Sequence, residues 1–174
     1  GILLSSAVEK YANFYGVACG EKNVLFTNND SAYETAISLY QKGINIEAII
    51  DNREEIDSKL IKEAEKNNIK IYKGFTVVNT FGYKRINKIS IMQLSKDGQK
   101  AVGSKISISC DCLGISGGWT PAVHLFTQSG GKLKFRDEDQ VFIPNKYPSD
   151  QISIGACNGD FTLNEILSSV PIVL

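Results

Sequence analysis

Between Val24-Leu25-Phe26 and Ala32-Tyr33-Glu34-Thr35-Ala36 stand Thr27, Asn28, Asn29, Asp30 and Ser31, five polar residues with no glycine among them. An apolar β-forming run that enters a polar turn and leaves through helix formers reads as strand, turn and helix. The amides that open such a helix can hold a phosphate. Glycines normally make room for it: the first permits the turn, the second admits a pyrophosphate, and the third lets helix pack on strand. Aligning Glu34-Thr35-Ala36 with the end of that pattern puts Thr27, Asn29 and Ala32 at the three glycine positions. Ala32 suits the third. Asn29 sets a side chain where a phosphate oxygen would lie, although Asn enters positive φ more readily than most residues. Asp30, at the helix start, is expected to cap it and to use the positive helix end that a phosphate would need. Asp51 follows Asp30 by 21 residues, at the end of a second strand, which is the spacing of an acidic residue that grips an adenosine ribose; it reads equally well as a strand-end turn residue. The expectation is a self-capped, empty turn. The alternative is a nucleotide held by Asn28, Asn29 and Asp51.

Little else in the chain offers chemistry. His124 is the only imidazole, three residues after Pro121 on an expected helix, where a structural or partner-facing role fits best. No G-x-S-x-G elbow, phosphate-binding Walker loop or His-Glu-x-x-His stretch occurs. Glu54-Glu55 and Asp137-Glu138-Asp139 read as a helix start and a solvated loop. Cys19, Cys110, Cys112 and Cys157 include one close pair, on one face if residues 110–112 are a strand, but without a second pair or a nearby His this is poor zinc spacing. Reduced, mostly buried thiols are expected. Two segments are less bland: SGGWTPAVHLFTQSGG (116–131), whose glycines suggest close backbone approach, and SIGACNGD (153–160), where Gly159-Asp160 is expected to open a helix as an N-cap or a ligand contact.

The elements that would position these residues follow from periodicity. Ala7, Val8, Tyr11, Phe14 and Tyr15 give a helix over 5–15, broken by Gly16 and Gly20. Strand 22–27, helix 31–42, strand 45–51, helix 54–67 and strand 69–74 alternate, which requires right-handed crossovers and a Rossmann-like parallel sheet. Residues 75–110 change grammar and read as an antiparallel β-meander flap. A helix over 121–129, a loop with Pro144 and Pro148, strand 152–156 and helix 161–169 complete the chain.

Bulk properties bound the function. Nineteen basic and nineteen acidic residues cancel and neither sign forms a run, so no nucleic-acid or membrane partner is expected. No apolar run approaches the ~20 residues that span a bilayer, so a soluble, cytoplasmic protein is expected. The chain opens on Gly rather than Met, suggesting a fragment or a processed product.

TNNDSAYETA, SGGWTPAVHLFTQSGGKLKF and GACNGDFTLNEIL together resemble the α subunit of heterotetrameric sarcosine oxidases, over nearly the whole chain. The resemblance implies an α/β fold as in two-dinucleotide-domain flavoprotein oxidoreductases. Residues 1–111 would be an inserted NAD(P)-type domain and 112–174 the return segment that completes the first domain. It implies NAD in the intact α subunit and FAD and FMN mainly with the β subunit. It also implies tetrahydrofolate at a domain with no counterpart here, and β, γ and δ subunits as partners. Gly159 and Asp160 would match the family's second cofactor motif. No catalytic residue and no metal ligand is expected in this chain, and Trp119 or Phe126 would be available for self-association.

Overall fold

Strands that must bury both faces are apolar along their length, and in this chain they build one parallel sheet. In chain order the elements are β1 (Ile2–Leu4), α1 (Ser5–Tyr15), β2 (Asn23–Thr27), α2 (Ser31–Gln41), β3 (Ile46–Asp51), α3 (Lys59–Lys66) and β4 (Ile71–Lys73). The meander β5 (Phe75–Gly82), β6 (Ile86–Leu94) and β7 (Ala101–Ser109) follows, and then β8 (Cys112–Ser116). The sheet order is β1-β8-β2-β3-β4, with every pairing parallel. The computed structural model describes residues 1–137, 139, 141–148 and 150–170. They form two compact units, Gly1–Gly118 and the residues from Trp119 onward.

Alternation along the strands sorts side chains between two cores. Leu25, Ile49 and Cys112 face the helices, packing with Val8, Tyr33, Ala36, Leu39, Ile61 and Ala64. Val24, Ala48, Ile50 and Leu113 face the meander, packing with Ile89, Ile91 and Cys110. Leu25, Ile49 and Ile50 are each fully buried, at about 1.5–3 kcal/mol apiece. Close packing of α1 on β8 requires Gly114: a Cβ there would lie 2.5 Å from Leu25 Cδ2 and 3.4 Å from the Ser5 Cα.

The Rossmann-like sheet and the antiparallel meander over 75–110 form as expected, and several boundaries move. The compact units divide at Gly118/Trp119, and β8 is inserted between β1 and β2 and hydrogen-bonded on both sides. Cys110 and Cys112 do not share a face. The chain turns at Asp111, whose carboxylate accepts the backbone N–H groups of Glu21 (3.1 Å) and Lys22 (2.9 Å), and the two thiols enter opposite cores. Burial pushes both thiols up to about 11, and all four cysteines are free. The third helix begins at Lys59 rather than at residue 54, where the Ser58 hydroxyl accepts the Leu60 N–H.

In the second unit, α4 (His124–Gln128) is shorter than the expected 121–129. The supposed loop contains an antiparallel hairpin of β9 (Lys132–Arg136) and β10 (Val141–Lys146), with Pro144 tolerated where the register shifts. Residues 152–156 form no strand. Gly155 takes φ +70° and opens a 3₁₀ turn, Gly155–Asn158, before α5 (Leu163–Ser169). Phe126 is 3% exposed and stacks edge-on with Tyr147 at 5.0 Å, so it is not available as a surface anchor; Trp119 is 62% exposed. Glu138, within the expected acidic loop 137–139, lies outside the described residues. No helix among the described residues is long and apolar enough to cross a membrane.

Candidate functional site

From β2 the chain proceeds to β3 and β4 on one side, while β8 lies on the other. Open α/β sheets take their ligands in the crevice outside the carboxyl ends of the strands at such a reversal. The crevice is lined by Thr27–Ser31 from the β2–α2 turn and by Ser116, which ends β8.

The turn is tied into itself. The buried Thr27 hydroxyl donates to the Asn29 carbonyl (2.8 Å) and accepts the Asn29 N–H (3.0 Å). Asn29 Oδ1 accepts the Ser31 N–H (3.0 Å) and hydroxyl (2.6 Å). Asn29 Nδ2 donates to the Asn28 Oδ1 (2.9 Å), the Ser116 carbonyl (3.1 Å) and the Ser116 hydroxyl (3.2 Å). The Asn29 amide therefore spans the crevice from β2 to β8, and the Ser31 and Ser116 hydroxyls meet at 3.0 Å beside it. Asn29 is not among the positive-φ residues, so no left-handed turn opens room for a ligand.

Asp30 does not cap the helix, contrary to expectation. It has helical backbone angles (φ −77°, ψ −19°) and no side-chain cap bond. Asn29 accepts the Ser31 N–H instead, leaving the Asp30 carboxylate to pair with Arg53 Nη2 at 2.8 Å. Asp51 is fully buried and receives four donors: Arg53 N (2.9 Å) and Nε (3.1 Å) at Oδ1, and the Tyr33 hydroxyl (2.9 Å) and Arg53 Nη2 (2.8 Å) at Oδ2. A carboxylate has about four acceptor positions, so this one is saturated. Burial, reinforced by Asp51, lifts the Tyr33 phenol above its ordinary range. Burial opposes the Arg53 charge, but the hydrogen bonds to Asp51 and Asp30 outweigh it and hold the guanidinium above its ordinary value.

Asn28, Asn29 and Asp51 thus gather at one edge of the first unit. Gly159 and Asp160 belong to the second. Gly159 has φ +88°, and a Cβ there would lie 2.8 Å from Ile143 Cγ2 and 3.0 Å from Arg136 Nη2, which donates to the Gly159 carbonyl at 2.8 Å. Asp160 accepts from Asn158 Nδ2 at 3.2 Å and precedes the helix cap by two residues; the cap is Thr162, in a capping box with Glu165. Tyr33, Arg53 and Ser116 were not anticipated. The Ser116-Gly117-Gly118 run behind an apolar strand was the available signal for Ser116. Arg53, two residues past a strand-end Asp, had none. His124 is exposed at the start of α4, and among the described residues no group of three His, Cys, Asp or Glu could hold a metal.

No family model matches the chain. It is 32% identical over 171 residues to the sarcosine oxidase subunit alpha of Corynebacterium sp. (strain P-1), covering 97% of this chain and 17% of that protein. The thioredoxin reductase of T. acidophilum matches 98% of this chain with 58% of its own, at a TM-score of 0.60 and 19% identity. The HOCl-induced flavoprotein disulfide reductase RclA from Escherichia coli matches 99% of this chain with 38% of its own, at a TM-score of 0.67 and 13% identity. These structures show the fold: a parallel five-stranded sheet with helices and a three-stranded meander, as in two-dinucleotide-domain flavoprotein reductases.

Proposed function

Starting from the homology of this chain to a portion of the sarcosine oxidase α subunit, we propose that it is a structural, nucleotide-type part of such an oxidoreductase and holds no catalytic centre. The observation that carries the reading is the Asn29 amide bridging to Ser116 across the crevice where this fold takes its ligands. The residues present do not fit a dinucleotide diphosphate there. The second glycine position carries a hydrogen-bonded amide, the first helical N–H to face the turn is already bound by Asn29, and Asp30 adds negative charge beside it. A ribose would have to displace Arg53 or Tyr33 to reach Asp51.

In this reading the intact complex oxidises sarcosine to glycine in the cytoplasm, and NAD belongs to a different part of the α subunit. FAD and FMN lie mainly with the β subunit, and the β, γ and δ subunits are partners. Gly159 and Asp160 are the proposed dinucleotide contacts within an intact subunit. The competing reading is a stand-alone dinucleotide-binding regulatory module that uses Asn28, Asn29 and Asp51; the fold itself favours it.

Titration calorimetry of the chain with NAD, NADH and FAD separates the two. The scaffold reading expects no saturable heat with any of them. Micromolar binding that is lost in both Asn28→Ala and Asp51→Asn establishes the module instead.

A further inference from the structure

The meander concentrates charge that the sequence disperses. Within residues 75–110 lie Lys84, Arg85, Lys88, Lys96, Lys100 and Lys105, against the single acid Asp97. That is a net +5 in a chain of net zero, leaving thirteen basic and eighteen acidic residues elsewhere. All six cations are exposed. Lys84 and Arg85 sit in the turn between β5 and β6, and Lys96 and Lys100 in the turn between β6 and β7. The register pairs Lys88 with Ser109 and Ile89 with Ile108, so Lys88 and Lys105 share the face opposite to that of the core isoleucines.

Arg85 donates to the Asp111 and Cys19 carbonyls, but none of the six cations forms an ion pair with a carboxylate of the unit. The ion pairs of the first unit join Arg53 to Asp30 and Asp51, Lys62 to Asp57 and Lys73 to Glu65, all outside the meander. Asp97 is taken up by the Ser95 hydroxyl and the Gln99 N–H. Apolar groups stand among the cations: Tyr83 is 97% exposed, and Phe81 and Val102 are each more than a third exposed. The Lys88 ammonium lies 4.5 Å from the centroid of the Phe81 ring. The strand β7 is an open sheet edge, exposed at every residue but Ile108. Lys105 on this edge discourages self-pairing, and Arg85 ties the β5–β6 turn to the Asp111 and Cys19 carbonyls; Lys84, Lys88, Lys96 and Lys100 have neither role.

We propose that the outer face and free edge of the meander dock an acidic protein surface, whose carboxylates meet the lysines and whose apolar side chains cover Phe81, Tyr83 and Val102. Charge complementarity sets the sign of the partner. The aliphatic side chains and the unpaired backbone of β7 suit a polypeptide, which can add a strand, better than a phosphodiester chain, which cannot.

The test is a ¹⁵N NMR titration of the whole chain with four probes: a peptide alternating Glu and Val, poly-L-glutamate, single-stranded DNA, and phosphatidylglycerol vesicles. The expected result is that the Glu-Val peptide binds tightest and shifts signals within residues 81–109. Binding should weaken about tenfold in Lys88→Glu/Lys105→Glu and less, but in the same direction, in Lys88→Gln/Lys105→Gln. Far-UV circular dichroism checks that both variants fold. Tighter binding of DNA or vesicles, shifts outside the meander, or no response to the peptide would each overturn the proposal. So would concentration-dependent dimerisation abolished by the lysine variants, which would make a second copy the occupant.

Discussion

Replacing Arg53 by Met strips the buried Asp51 of its cation while keeping most of the side-chain volume. Two side-chain hydrogen bonds to Asp51 are lost, from Nε and Nη2, together with the Nη2 bond to Asp30. Charge-assisted bonds are worth about 1.5–3 kcal/mol each when fully buried. Here Arg53 is 32% exposed, and Asp51 keeps the Tyr33 hydroxyl and the backbone N–H of residue 53. The expected loss is therefore about 2–3 kcal/mol, of which the partly exposed Asp30 pair supplies under ~1 kcal/mol. Urea denaturation followed by circular dichroism measures it, in a cycle with Asp51→Asn. Because the asparagine no longer carries a charge that needs the guanidinium, the double variant should be less destabilised than the sum of the singles by about 2 kcal/mol. A coupling below ~0.5 kcal/mol would refute the view that Arg53 compensates a buried charge.

Three further outcomes follow from the packing and the hydrogen bonds. Asn29→Ala should lower stability by about 1–2 kcal/mol in the same denaturation assay, since it removes both the Ser31 N–H acceptor and the bridge to Ser116. Gly114→Val should cost more than ~2 kcal/mol or prevent folding, because its Cβ would lie 2.5 Å from Leu25 Cδ2 and the adjacent α1 backbone leaves little room to shift. Cys110 and Cys112 ionise from 9.0 when exposed but only at about 11 when folded, so they favour the folded state fully below pH 9. That contribution disappears as pH rises toward 11. The thermal midpoint should therefore fall over this interval, and fall less in Cys110→Ala/Cys112→Ala than in the parent chain.

The central layer was legible because both-face burial leaves an unmistakable sequence mark: Val24-Leu25-Phe26 and Ala48-Ile49-Ile50 alternate between two cores and leave no polar face. The hairpin of β9 and β10 was hidden by Pro144, which argues against a strand except where a bulge removes the need for its N–H, as between Pro144 and Lys146. The run over 152–156 misled for the converse reason. Its alternation fits a strand, but Gly155 turns left-handed and Ile152 and Ile154 stay 62% and 42% exposed. At the candidate site, local spacing located the turn and its missing glycines but assigned the cap to the wrong residue. Asp30 and Asn29 compete for the same helix end; Asn29 takes the Ser31 N–H, while the Asp30 carboxylate pairs with Arg53, 23 residues away in sequence. Long-range partners such as Ser116 and Arg53 leave no periodic trace and become visible only when strands β8 and β3 are set beside β2.

The most direct test of the closed crevice is a crystal structure of the chain grown with saturating NAD or FAD. The account predicts the Asn29 amide still hydrogen-bonded to Ser116, and no density between the ends of β2 and β8. A pyrophosphate resting on the amides of Ser31 to Tyr33, with Asn29 swung away from Ser116, would contradict it.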